Sequence, residues 1–270
     1  APYDGEIAFV DAQVAKVLKA IEQRDQVENT LIVIVGDHGE GLGQHGESTH
    51  AYLIYDSTLH VPLIFACGRR LGGGVHVRQR VSQVDLTPTI LRLLGLEVPR
   101  ELDGIDLTTD PIQPRALFAE TLHGQIIRNL APMTAVFYGP HKYLHSPKPE
   151  LFDLSSDPSE TKNIYDGRPA LVAELKSKLN GLFGEELDLI ESARPNPQLS
   201  AEDLRNLHSL GYLGGRDDTP AGAPRTDPKD VMAELTRTEQ MKRSIEQKHL
   251  GRDGNHYLVI VILSIVTVLW

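Results

Sequence analysis

The chain has 270 residues, 40% hydrophobic and 24% charged, which is enough for one large core or two modest domains. A net charge of −10 excludes a general nucleic-acid binder, which needs a basic surface. It leaves room for an anionic small substrate, because one bound metal ion inverts the local field. Cys67 is the single cysteine, so no internal disulfide can form. It follows the apolar run Val61–Ala66 and reads as a small buried hydrophobe. The chain opens on Ala1 with neither a start Met nor a signal peptide, and reads as a fragment or a processed product.

Ile7, Val10, Val14, Val17, Leu18 and Ile21 recur at helical spacing, which predicts a helix over Tyr3–Glu22 with one buried stripe. Leu31–Val35 is an unbroken branched apolar run, the pattern of a strand buried on both faces in a parallel sheet. Gly36–Gly46 follows as a glycine-rich loop at the strand's C-terminal end, where open α/β sheets bind ligands. Val61–Ala66 is a second buried strand, with Pro62 near its start. Asp85 is placed to cap a helix over Leu86–Leu94, with Pro88 in its first turn and Gly95 past its end. This alternation gives an α/β class.

From about Thr134 the texture changes. Ala135–Tyr138, Lys142–His145 and Leu151–Leu154 are short antiparallel strand candidates, and Ala170–Phe183 reads as a closing helix. Lys142 and His145 could reach a cleft, but solvation is the ordinary fate of such side chains. Gly214–Pro228 has linker composition, and a charged, weakly amphipathic helix runs from Asp227-Pro228 to about Lys248.

The chain ends in Tyr257–Trp270, 14 residues without a charge. As a helix this segment reaches about 21 Å, short of the roughly 30 Å hydrocarbon core. A truncated span, an interfacial or buried helix and a buried strand all compete for it, the first being favoured. The basic flank Lys242, Arg243, Lys248 and Arg252 would put the preceding side in the cytoplasm. The domains expected are 1–125, the α/β core portion; 126–190, a small α+β subdomain; 191–256, linker and charged helix; and 257–270, the apolar segment.

The stretch that carries chemistry is Gly36-Asp-His-Gly-Glu-Gly-Leu-Gly-Gln-His-Gly-Glu-Ser-Thr-His50. A carboxylate beside an imidazole at a strand end can share one divalent cation, and flanking glycines let backbone and ligand approach. Asp37 and His38 are therefore the candidate metal ligands. His50 is a second imidazole able to donate a proton to a leaving group. His45 is the weakest candidate of the loop and could simply hydrogen-bond within it.

Asp37-His-Gly-Glu, Gln44-His-Gly-Glu-Ser-Thr-His50, Tyr55 and Val61-Pro-Leu-Ile64 resemble, in that order, the C-terminal half of sulfatases of the alkaline-phosphatase superfamily. Val84-Asp-Leu-Thr-Pro-Thr-Ile90, Leu94-Gly95, Asp103-Gly-Ile-Asp-Leu107, Glu150–Asn163 and Leu204–Gly215 continue the resemblance. It implies the C-terminal part of an alkaline-phosphatase-like α/β sandwich with a smaller antiparallel α+β subdomain. It further implies a metal-dependent sulfuric ester hydrolase acting on a sulfated small molecule or glycan. Asp37 and His38 match the pair completing a metal site, usually calcium, with His where many members have Asn. His50 matches the position contacting the ester oxyanion or leaving group. His60 stands where Arg is common and is given no role.

The family's early Asp-Asp pair does not occur in the chain, nor does the Cys/Ser-x-Pro-x-Arg motif that yields a formylglycine nucleophile. The formylglycine is expected upstream, and the chain alone is expected not to turn over substrate. Two alternatives stand beside this one. The first is a phosphoric or phosphonic ester hydrolase or phosphotransferase of the same superfamily, marked by an upstream Thr or unmodified Ser. The second is a non-catalytic, membrane-tethered remnant. The resemblance implies an extracytoplasmic location, periplasmic or secreted, or a membrane anchor through the apolar tail.

Overall fold

A computed structural model of the chain describes residues 2–109, 111–184 and 225–238. It divides into two compact units. Among the described residues the first holds 2–37 and 61–113, and the second holds 38–60, 114–184 and 225–238. Residues 204–215, the expected linker before 225, the part of the expected charged helix beyond 238 and the apolar segment 257–270 lie outside the described residues. Among the described residues no helix is long and apolar enough to cross a membrane.

The first unit opens with α1, Pro2–Glu22, one residue before the predicted start. Its apolar stripe is not buried as expected: Ile21 is, but Ile7 is 55% and Val17 41% exposed within this chain. β1 (Ile32–Val35) pairs with β2 (Leu63–Ala66), with Val33 opposite Phe65. The pairing is antiparallel, which corrects the expected parallel sheet. Burial alternates along β1 rather than being complete, so continuous apolarity marked a core strand without fixing its neighbour's direction. Leu31, Val33, Cys67, Leu93 and Leu94 form this unit's core, and Cys67 is buried as predicted.

α3, Leu86–Leu94, has the predicted bounds and ends on Gly95 in the left-handed region at φ 74°. (The four-residue turn Asp56–Leu59 is α2.) Asp85 does not cap α3 through its side chain as expected. It is fully buried, and its carboxylate accepts from Ser82 N at 2.8 Å and from Ile105 N at 2.9 Å. This links the two sequence motifs around Asp85 and Asp103–Leu107. Gly104 passes so close that a Cβ there would sit 2.0 Å from Val84 O, and Leu107 N donates to Thr89 Oγ1.

The second unit is built on an antiparallel sheet in the order β3 (Leu117–Thr121), β4 (Met133–Tyr138), β5 (His141–His145), β6 (Glu150–Asp153). The last three strands are those read from the sequence; β3 was missed, as was α4 (His123–Arg128). Both faces of the sheet are covered. Val136, Tyr143 and Leu151 pack on Leu175 and Leu179 of α5, Pro169–Phe183. Met133, Ala135, Leu144 and Phe152 pack on Tyr52, Leu53 and Tyr55 and on Met232 and Leu235 of the helix at 228–238.

That double cover overturns the expectation of solvated Lys142 and His145, which are 0% and 3% exposed. Lys142 shares a face with Leu144, two residues on, and so points into the core. There its Nζ meets Glu160 Oε1 at 2.5 Å and Asp56 Oδ1 at 3.3 Å. Phe152 and Leu154 join the core. Asn163 is structural too, its Oδ1 accepting from Leu151 N and Tyr165 N.

Candidate active site

The loop after β1 is shaped by backbone hydrogen bonds. In the first unit Gly36 N donates to Pro62 O, and the amide of Gln83 donates to Gly36 O at 2.8 Å and Asp37 O at 2.9 Å. Gln83 thereby holds the backbone that ends in Asp37, whose side chain is exposed. In the second unit Gly39 N donates to Thr58 O at 2.8 Å, Gly41 N to Thr49 O at 2.6 Å and Gly43 N to Glu47 O at 2.7 Å. Glu47 is 2% exposed, and its carboxylate accepts from Tyr52 N at 2.9 Å and Leu53 N at 3.2 Å. Leu42, Gly43, His45, Gly46 and Ala51 all adopt positive φ, so the segment is a folded knot of turns rather than a slack loop.

This frame brings His38 and His50 together: their rings stack with centroids 3.9 Å apart. His38 Nδ1 lies 2.9 Å from Gly39 O. A carbonyl only accepts, so Nδ1 carries the hydrogen and the ring's lone pair is on Nε2, the form a metal ligand needs. His50 Nδ1 lies 3.0 Å from Glu40 Oε2. Among the described residues no group of three or more His, Cys, Asp and Glu is arranged to hold a metal. The Nδ1–H tautomer of His38 is the form whose other ring nitrogen, Nε2, can ligate a metal.

His45 sits away from that chemistry. Its ring stacks on Tyr55 at 3.6 Å, Tyr55 Oη donates to Glu150 Oε2 at 2.6 Å, and burial lowers the His45 pKa. Burial, with Glu150 adding to it, raises Tyr55, which stays a donor. His60 is exposed, in keeping with its having no assigned role.

The sequence reading missed His123, which opens α4. Its backbone N donates to Thr121 Oγ1, Thr121 donates to Ala51 O, and its ring meets Tyr52 edge-on at 4.6 Å. Burial, then the nearby His50 and Arg128, lower its pKa from 6.5 to about 4. A histidine with a lowered folded pKa contributes stability that is present above its unfolded value and lost as pH falls toward the folded one. Unfolding midpoints measured from pH 7 down to about 4 should therefore drop more steeply for the unaltered chain than for His123→Phe. The expected excess is on the order of 2 kcal/mol after partial solvent screening.

The fold is alkaline-phosphatase-like. The solved structure of BT4656 in complex with its substrate D-glucosamine-2-N,6-O-disulfate shares this fold. It matches with a TM-score of 0.59 and 22% identity, over 72% of this chain and 41% of that one.

The family model Sulfatase matches residues 1–96 of the chain. It is 29% identical over 202 residues to human arylsulfatase K, covering 67% of this chain and 36% of the relative. It is 30% identical over 232 residues to the Δ4,5-hexuronate-2-O-sulfatase of Bacteroides thetaiotaomicron, covering 76% and 44%. The chain thus spans well under half the length of these relatives.

Proposed function

We propose that the protein to which this chain belongs hydrolyses sulfate esters, with a sulfated glycan or small sulfated molecule as substrate. Support comes from the similarity to sulfatases together with one geometric observation. The loop after β1 holds His38 in the ligand tautomer and stacks His50 beside it. Asp37 and His38 would hold a divalent metal, calcium being the family's usual ion. When bound, the metal would supply positive charge to the sulfate oxygens, and the nucleophile would be the formylglycine that the resemblance implies. His50 meets the oxygen of the leaving alcohol and gives it a proton as the S–O bond breaks. The location proposed is outside the cytoplasm, where calcium is plentiful, either free or held at a membrane by residues 257–270.

Calcium titration of the full-length enzyme, followed by calorimetry and by turnover of an aryl sulfate, tests this reading. Asp37→Ala should weaken calcium binding by at least about 10-fold and lower turnover with it. Unchanged calcium affinity and unchanged turnover in that variant would remove Asp37 from the site.

A further inference from the structure

We propose that Glu40 is the positioning residue for His50, holding its Nδ1–H so that Nε2 is the nitrogen presented to the leaving oxygen. This rests on the role given to His50 above. The two residues are ten positions apart in sequence, yet Nδ1 and Oε2 are 3.0 Å apart. Their side chains are only 30% (His50) and 19% (Glu40) exposed. An ionised carboxylate has no hydrogen to give, so the hydrogen in this contact belongs to Nδ1. Whatever the charge on the ring, Nδ1 remains the donor to Glu40.

The surrounding backbone is arranged to keep this contact. Glu40 is flanked by Gly39 and Gly41, whose N–H groups are fixed to Thr58 O and Thr49 O. The residues just after His50 are fixed by the buried carboxylate of Glu47 at Tyr52 N and Leu53 N. The His38 ring, stacked at 3.9 Å, lies against one face of the His50 ring. A loop acid with no more than a solvating role would need none of this. Here both ends of the contact are held by separate hydrogen bonds, as an orienting group must be.

The chemistry this sets up balances simply. As the nucleophile bonds to sulfur and the S–O bond to the alcohol breaks, that bond's electron pair departs on the alcohol oxygen, which takes the Nε2 proton of the His50 imidazolium. His50 is left neutral with its hydrogen on Nδ1, the tautomer that Glu40 selects.

The test reads the tautomer directly. In the 15N-histidine-labelled chain, long-range 1H–15N correlation spectra at about pH 8, above the ordinary histidine range, should show neutral His50 as the Nδ1–H form. Glu40→Ala should shift it to the Nε2–H form that histidine prefers in water. Glu40→Gln, whose amide oxygen still accepts, should keep Nδ1–H. An Nε2–H form in the unaltered chain, or an Nδ1–H form that survives Glu40→Ala, overturns the proposal. If Glu40→Ala fails to fold, the unaltered chain and Glu40→Gln decide it.

In the full-length enzyme Glu40→Ala should lower kcat for an alkyl or sugar sulfate by roughly 100-fold with little change in KM. The loss should be much smaller for a nitrophenyl sulfate, whose leaving group needs no proton. Equal losses on both substrates would overturn the positioning role. His50→Ala separates the two readings. If it spares both substrates, the role of His50 falls, while the tautomer spectra still decide whether Glu40 holds the ring.

Discussion

Replacing Lys142 with methionine is expected to destabilise the second unit by about 3–5 kcal/mol, the scale for removing one partner of a buried ion pair. Lys142 is fully buried, with Glu160 Oε1 at 2.5 Å and Asp56 Oδ1 at 3.3 Å. Its ammonium also lies 4.9 Å from the Phe137 ring centre and 5.8 Å from that of Tyr55. Methionine keeps much of the volume, so the cost comes from the charge left behind. The Glu160 side chain is 1% exposed, and burial already raises its pKa against the opposing pull of Lys142. Glu160 Oε2 additionally accepts from Asp56 N, tying this carboxylate to the turn that begins α2.

Urea unfolding of the single variants and of Lys142→Met/Glu160→Gln measures the coupling. The double variant should recover at least about 2 kcal/mol relative to additivity. A Lys142→Met midpoint close to that of the unaltered chain would show that the ammonium is not paired where the geometry puts it.

Lys142 also marks the limit of what the sequence carries. Lys142–His145 was legible as a strand, but its polar residues looked like a solvated face because nothing local announces a second layer over the sheet. That layer comes from Tyr52–Tyr55 and from the helix at 228–238, both far away along the chain. Elements with clear signals were read closely: α3 between Asp85 and Gly95 to the residue, and α5 to within one residue at its start. β3 carried no such signal. Leu117-Phe-Ala-Glu-Thr121 is short, mixed and without alternation, and only its pairing with β4 defines it. The antiparallel sense of β1 and β2 was likewise invisible, since apolar continuity reports burial and not direction.

The site divides along the same line. Asp37, His38 and His50 stood out because their residue types cluster in one glycine-rich stretch, and the fold does stack His38 on His50. Glu40 lay in plain view beside them. Its contact with His50 depends on the turn through Gly41, Gly43 and Gly46, which spacing alone does not reveal. His123 could not be found from sequence at all, because it reaches the site from α4 through tertiary packing.

Gly41→Ala is expected to undo that turn and with it the placing of His50. A Cβ at residue 41 would stand 2.4 Å from Glu47 O and 2.7 Å from Thr49 O. Both are backbone atoms already engaged, Glu47 O by Gly43 N and Thr49 O by Gly41 N, so no side-chain rotation relieves the clash. The two strands of the loop must separate by on the order of 1 Å, a displacement that costs roughly 100-fold in rate at a reacting centre. Turnover by the full-length enzyme should fall by at least that factor, and the Nδ1–H signal of His50 should be lost.

Gly43→Ala is the control. Residue 43 has φ +100°, where a side chain strains the backbone by about 1–2 kcal/mol, yet nothing lies within 4 Å of its Cβ position. That variant should lose stability while keeping the His50 tautomer. If Gly41→Ala behaved like Gly43→Ala, with stability reduced and His50 unmoved, glycine at 41 would serve backbone conformation alone. The close approach of Gly41 to Glu47 and Thr49 would then not be what holds Glu40 against His50.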